Sequence, residues 1–394
     1  MKIELEKYDR IAFPTGIMDF VTRGADEMAY VACMDGIYEL PLPTLEQATP
    51  DSEAKPKLTP RRIGQHTSYV SGVGWNEDAS LLISAAYDGT LHFRDLPDNA
   101  NSDKNSSVQE RIDSSESGDT QVTEVAPRIA ERVHKFWSWD MALSPDKRKL
   151  ASVSGQYLAG AEDYTPRAAD EPTVKIFDAV SGKLLHAFDM LPSVQCVTFD
   201  LTSRYVAAGN LMGDVSVWDV ETGENLAKWR TPSFTSWGII KSHCYIGGIF
   251  AISFSPDSES LLVAGMGEMR DPMAGNGKQL WQRFAWRKAP AEKIQETAAD
   301  QSGEGLMETL AWHPDGSYFV MGGRLRGGNW NLGVFEAETG QLVGQAKTGM
   351  RITTARFSSD GNTLILAGMQ GQPEPKENRF RDFGYLERYR LVRS

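Results

Sequence analysis

One unit recurs along the chain, and it limits the fold more than any other feature: a short apolar strand, a turn of the type Ser-Pro-Asp-x, and a second apolar strand ending in a small residue. Ser144-Pro145-Asp146 precedes Leu150-Ala151-Ser152, and Ser255-Pro256-Asp257 precedes Leu261-Leu262-Val263-Ala264-Gly265. His313-Pro314-Asp315-Gly316 precedes Tyr318-Phe319-Val320-Met321-Gly322, and Ser358-Ser359-Asp360-Gly361 precedes Leu364-Ile365-Leu366-Ala367-Gly368. Looser copies start at Asn76-Glu77-Asp78 and at Asp200. Proline presets φ at the second turn position, and Asp or Gly accepts the backbone that follows. Aliphatic runs of about four to six residues between such turns read as buried strands. No long stretch keeps a helical period, so the chain is expected to be all-β.

The third strand of the unit ends in an aromatic residue and Asp. Thr173-Val174-Lys175-Ile176-Phe177-Asp178 and Asp214-Val215-Ser216-Val217-Trp218-Asp219 each lead into a glycine turn, at Gly182 and Gly223. Leu332-Gly333-Val334-Phe335-Glu336 is a further copy, and Thr90-Leu91-His92-Phe93-Arg94-Asp95 is another with Arg94 in the aromatic position. In these residues the chain resembles the WD40 repeat family of β-propellers. The resemblance runs along nearly the whole chain; it implies the fold and leaves the function open, because such propellers host many roles.

Inner strands are expected near residues 17–20, 70–75, 138–143, 194–199, 250–254, 307–312 and 352–357, which makes seven blades. The last copy runs out at Tyr385–Tyr389 without an outer strand, and the unassigned strand at Lys2–Tyr8 can supply it. That pairing would close the ring and remove exposed sheet edges. The expected architecture is one seven-bladed propeller over residues 1–394, with 1–10 as its closing strand.

Seven repeats of about 43 residues use about 300, so roughly 90 of the 394 residues are insertions. The connections between second and third strands and those leading to inner strands emerge on one face. Most extra length falls there, at Gly155–Pro172, Thr231–Gly248, Met266–Lys278, Gly323–Trp330 and Gly368–Asp382. Long loops on a rigid scaffold usually carry function. Pro97–Val125 lies instead on the opposite face; acidic, rich in Ser and Asn and lacking aromatics, it is expected to be a disordered insertion.

The chain carries a net charge of −12, which opposes binding to bulk nucleic acid or anionic membranes. Its three cysteines form neither a disulfide framework nor a zinc pattern. The first residues contain no apolar signal core, which points to the cytoplasm. Gly275-Asn276-Gly277-Lys278 fails as a phosphate loop, since Pro272 replaces the first glycine and Gln279 the hydroxyl. Gly322–Gly328 reads as a flexible hairpin tip, and His243-Cys244 stands alone in sequence. No cofactor or metal is called for.

His66 and His134 precede their inner strands at the same spacing. The family resemblance implies that such a histidine joins a strand-two hydroxyl, a turn Asp and the strand-three aromatic. Ser84 and Asp88 fit the second blade, but Arg94 replaces the aromatic and leaves the network incomplete.

The long-loop rim is the expected recognition surface. Arg270, Arg324, Arg326, Arg379 and Arg381 fall on it with Trp330 and Phe380, and the approaches to inner strands add Trp137, Trp139, Phe234 and Trp237. Arg and aromatics dominate interface hot spots, because they join large contact area to directional bonding. The reading is a non-catalytic scaffold, monomeric on its own, that presents this face to a protein or peptide partner. A channel metal enzyme would need Asp19, Asp140 and Glu308 to converge, and an RNA or phospho-ligand binder would rely on the rim arginines.

Overall fold

The computed structural model describes residues 2–24, 26–42, 58–96, 124–157, 167–236, 246–271, 276–325, 328–371 and 382–393, with the backbone alone at 235–236, 246, 268–271, 276 and 325. These residues form seven antiparallel meander sheets. The inner strands are Ile17–Arg23, Val70–Asn76, Ser138–Leu143, Val194–Phe199, Ile246–Phe254, Gly305–Trp312 and Arg351–Phe357. Each inner strand touches the next, and the seventh touches the first, so the sheets stand around a central axis as blades. In the fifth, the short strand Thr235–Ser236 joins the inner edge.

The seventh blade takes its outer strand from the other end of the chain. Ile3–Phe13 pairs antiparallel with Gly384–Arg393, from Ile3 opposite Arg393 to Phe13 opposite Gly384. Glu387, fully buried, receives an ion pair from Lys7 at 2.7 Å, and Arg388 grips Asp9 with two hydrogen bonds from its Nε of 3.1 Å each.

The apolar core is divided into seams rather than gathered in one mass. Each buried cluster joins two adjacent blades: Val31 and Phe20 of the first blade meet Ile365 and Leu386 of the seventh, and Leu81 and Phe93 of the second meet Leu150 and Phe177 of the third. A two-faced sheet can cover both sides only if a neighbour lies on each, which is why the aliphatic second strands are buried on both faces. The closing seam is therefore built like the other six.

Two expected loops prove to be strand. Met266–Lys278 is largely a long hairpin, in which Leu261–Asp271 pairs with Asn276–Ala285 out to Asp271 opposite Asn276. Gly322–Arg324 continue the strand Tyr318–Leu325 instead of forming a hairpin tip. In both places backbone pairing extends past the apolar run, so a reading of side chains ends the strand early. The insertion 97–123 lies outside the described residues. Its expected last residue does not belong to it: Val125 packs on the Ile63, Val73 and Trp75 cluster, and its N–H donates to the Ile63 carbonyl at 2.8 Å.

Candidate recognition surface at the channel mouth

Every inner strand carries a β-bulge at the same height, falling between Ile17 and Asp19, Val70 and Gly72, Ser138 and Asp140, Val194 and Cys196, Ile249 and Ala251, Met307 and Thr309, and Ile352 and Thr354. A bulge leaves one residue unpaired and re-aims its side chain. The seven extra residues are Met18, Ser71, Trp139, Gln195, Phe250, Glu308 and Thr353, and all of them line the central channel, a cavity of about 740 Å³. The repeated irregularity thus makes a ring of non-equivalent side chains around one opening.

The residue after each bulge turns toward the next blade. Asp19 accepts the Val73 N–H at 3.1 Å, Asp140 accepts the Val197 N–H at 2.9 Å, and Thr309 accepts the Ala355 N–H at 2.9 Å. At Gly72 the space is taken by the neighbouring strand, since a Cβ would lie 2.4 Å from Met141 Cγ. Asp19 and Asp140 therefore tie blades together. Glu308 is held by Arg351 in a two-pronged ion pair, with Nε to Oε2 at 2.6 Å. Among the described residues no group of three His, Cys, Asp or Glu side chains is arranged to hold a metal ion.

Burial raises the Asp140 carboxyl to about 7, and the Asp19 charge adds to the rise despite the two amides that Asp140 accepts from Val197 and Met141. Among the described residues Asp140 makes no ion pair.

Above the ring, on the long-loop face, five aromatic side chains of the second and third blades meet. Trp137 lies parallel to Tyr87 at 4.9 Å and to Phe136 at 5.2 Å, while Trp139 meets Tyr87 edge-on at 5.3 Å. Tyr69 leans on Tyr87 at 6.0 Å. Trp139 is fixed by its indole N–H, which donates to the Gly155 carbonyl at 3.0 Å. Tyr69 is 48% exposed and Trp137 42%, whereas Tyr87 reaches inward. Burial moves the Tyr87 hydroxyl to about 12, and it feels the charges of Arg351, Glu308 and Asp140, so it spans from the second blade toward the sixth and seventh.

Of the residues expected on the rim, Trp137 and Trp139 join this cluster, and Arg324 is exposed on the sixth blade. Arg270 falls on the extended hairpin of the fifth blade, where only the backbone is described. Trp237, Arg326, Arg379, Phe380 and Arg381 lie outside the described residues, as do His243 and Cys244. Trp330 and Phe234 do not face solvent: Trp330 packs on Phe335 in the seam of the fifth and sixth blades, and Phe234 is fully buried between the fourth and fifth. Tyr69, Tyr87 and Phe136 were missed. Tyr87 carried a legible signal, since it follows a second strand in the turn Tyr87-Asp88-Gly89, where a large aromatic falls outside the repeating strand pattern.

The second blade also completes the histidine network that seemed broken in the sequence. His66 shares hydrogen bonds through Nε2 with Ser84 Oγ at 2.8 Å and through Nδ1 with Thr90 Oγ1 at 2.9 Å, while Asp88 accepts from Thr90 and Thr67. Arg94 occupies the aromatic position, donating from NH1 to Ser84 Oγ at 3.0 Å and from NH2 to the Gln65 carbonyl at 2.9 Å. Its Nε donates to the Val125 carbonyl at 3.1 Å. In the third blade His134 bonds Ser152 Oγ at 3.0 Å, and Ser152 bonds Ser138 at 2.8 Å. Both histidines are structural. A family model described as "WD domain, G-beta repeat" matches residues 58–95, the stretch that holds His66, Ser84, Asp88 and Arg94.

The chain is a seven-bladed β-propeller that carries a WD40 repeat at residues 58–95. This propeller is also similar to eukaryotic translation initiation factor 3 subunit I of Xenopus laevis, Taeniopygia guttata and Xenopus tropicalis, at 25% identity over 203 residues in each case. The match covers 50% of this chain and 55% of each relative, so it spans about half the length of the curated relatives.

Proposed function

We propose that this propeller is a non-catalytic scaffold that binds a protein or peptide partner on its long-loop face. The observation that carries the reading is the cluster of Tyr69, Tyr87, Phe136, Trp137 and Trp139 beside the channel mouth, with Tyr69 and Trp137 open to solvent. Large aromatics in one exposed patch, rimmed by charge, have the composition of an interface centre. Arg324, and Arg270, Arg326, Arg379 and Arg381 with it, would form the opposite, basic side of the same face; Phe380 and Trp237 would extend it. The similarity to proteins named as subunits of a translation initiation factor supports a place in an assembly, and with it the cytoplasm. The single chain is proposed to be monomeric. Among the described residues no helix is long and apolar enough to cross a membrane, and the net charge of −12 disfavours nucleic acid.

Affinity purification with mass spectrometry tests the reading. Wild type, Tyr69→Ala/Trp137→Ala and Arg324→Ala/Arg326→Ala/Arg381→Ala variants are compared at equal abundance. At least one partner recovered with wild type should fall severalfold with one of the variants. An unchanged partner list in both would argue against this face as the binding surface.

A further inference from the structure

The outer strands of the blades are the edges of their sheets, and a bare edge invites another strand to pair with it. Five of these strands carry charge, at Glu6, Arg61, Glu131, Lys228 and Lys293 among others. A sixth, Leu342–Ala346, has none but is half-buried against the closing strand, where a Cβ at Gly344 would lie 2.6 Å from the Ile3 carbonyl oxygen. The outer strand of the third blade has neither protection. Leu184–Phe188 reads Leu-Leu-His-Ala-Phe, with Leu184 48% and Leu185 41% exposed and Ala187 open as well. A bulge at Leu185 does not set it apart, since Leu226 and Ile294 fill the same place in the charged strands of the fourth and fifth blades.

The surroundings of this edge say what would cover it. Phe188 stacks on Trp218 and His186 lies against Gly223, so one side of the strand looks onto the fourth blade, where Leu226 is 41% exposed on the next outer strand. Lys183 and Asp189 stand exposed at the two ends of the strand, and neither makes an ion pair among the described residues. An antiparallel strand laid on this edge, the more stable pairing, would bring a base opposite Asp189 and an acid opposite Lys183. Two rigid discs meeting edge to edge share little beyond this one short strand, less than the ~1,000 Å² of a specific interface between copies. A slender segment can instead follow the edge and reach Leu226.

We propose that the outer edge of the third blade binds an extended segment of a protein partner, which adds to the sheet as a fifth strand. The segment runs antiparallel to Leu184–Phe188, with a basic residue before and an acidic residue after a short apolar, β-branched run. Its backbone pairs with the free N–H and C=O groups of the edge, and its side chains on one face reach toward Leu226. This surface is separate from the long-loop face and does not depend on it.

Phage-displayed random peptides panned against the full chain test it. Recovered sequences are made with a fluorophore, titrated by anisotropy and scanned by N-methylation, which removes one backbone donor at a time. An added strand loses affinity about tenfold at every second position and little at the positions between, because alternate N–H groups face away from the edge. We expect that alternation, a loss of about tenfold or more with Leu185→Lys, slower hydrogen exchange across 184–188 in the complex, and weaker binding when the end charges of the peptide are swapped. Trp137→Ala should leave these peptides unaffected. Ala187→Glu repeats the comparison should Leu185→Lys fail to fold. Peptides indifferent to both edge variants, equal binding with the end charges swapped, N-methyl losses at helical spacing, or the recovery of no peptide at all overturn the edge site. Sedimentation showing a wild-type dimer that Leu185→Lys dissolves overturns it too, since a second copy then holds the edge. Peptides that depend on Trp137 alone sink this inference and leave the long-loop reading standing.

Discussion

The second and fourth blades solve one problem with different chemistry. In both, the penultimate side chain of the third strand must fill the seam beside its neighbour. The fourth blade does so with Trp218, which stacks on Phe188 of the third blade at 4.9 Å and 8°. Its second strand ends in Asn210, whose side chain donates to Asp214 at 3.0 Å while Arg230 clasps Asp214 from outside. The second blade instead buries Arg94, and the guanidinium is spread over Ser84, Gln65, His92 and Val125. Burial brings Arg94 down to about 10, and no carboxylate pairs with it among the described residues. The family pattern therefore demands a filled seam and a satisfied strand-two side chain; it does not demand tryptophan.

That contrast can be broken most severely at Arg94. Arg94→Ala strips donors from Ser84 and two buried carbonyls and opens a cavity, so a loss of about 4 kcal/mol in urea unfolding is expected. A loss below about 1 kcal/mol would mean that water replaces the guanidinium and that the network is dispensable. Trp218→Leu removes stacking and area but orphans no polar group, and should cost about 2 kcal/mol. The ordering of the two variants is the sharper test, since area alone would place tryptophan first.

The smallest effect is a pH dependence carried by the histidine blades. Burial holds His92 and His134 near 3, with neighbouring positive charge adding to the shift. Below about pH 6.5 the unfolded chain takes up protons that the folded one refuses, so stability should fall as pH drops. Asp140 acts in the opposite sense, because its folded value of about 7 lies above the unfolded one and stability is gained as pH falls from 7 toward 4. Melting temperatures between pH 7.5 and 5 should thus decline for wild type, less for His134→Asn and more for Asp140→Asn. Equal slopes in all three would show that these groups do not titrate on unfolding.

The inner strands, the seven blades and the partner of the N-terminal strand were legible because they depend on local signals. Ser-Pro-Asp turns, aliphatic second strands and glycine turns repeat at a fixed spacing, and an odd strand at each end has only one place to go. The turn at Gly89 is of this kind: φ is +77°, and a Cβ there would meet the His134 carbonyl at 2.3 Å. The histidine network was legible as a position but not as chemistry, since nothing in Thr90–Asp95 shows that Arg94 reaches a carbonyl in residue 125.

The sequence by itself determined the wheel, because each blade is specified within about 40 residues by periodicity and turn stereochemistry. Only the tertiary structure decided what the wheel offers. Met18, Ser71, Trp139 and Glu308 lie far apart along the chain, and what brings them to one opening is a backbone bulge that no side chain announces. The same closure buried Trp330 and Phe234 and left Trp137 in the open, since exposure is set by which neighbouring blade arrives, and a linear pattern carries no record of that arrival.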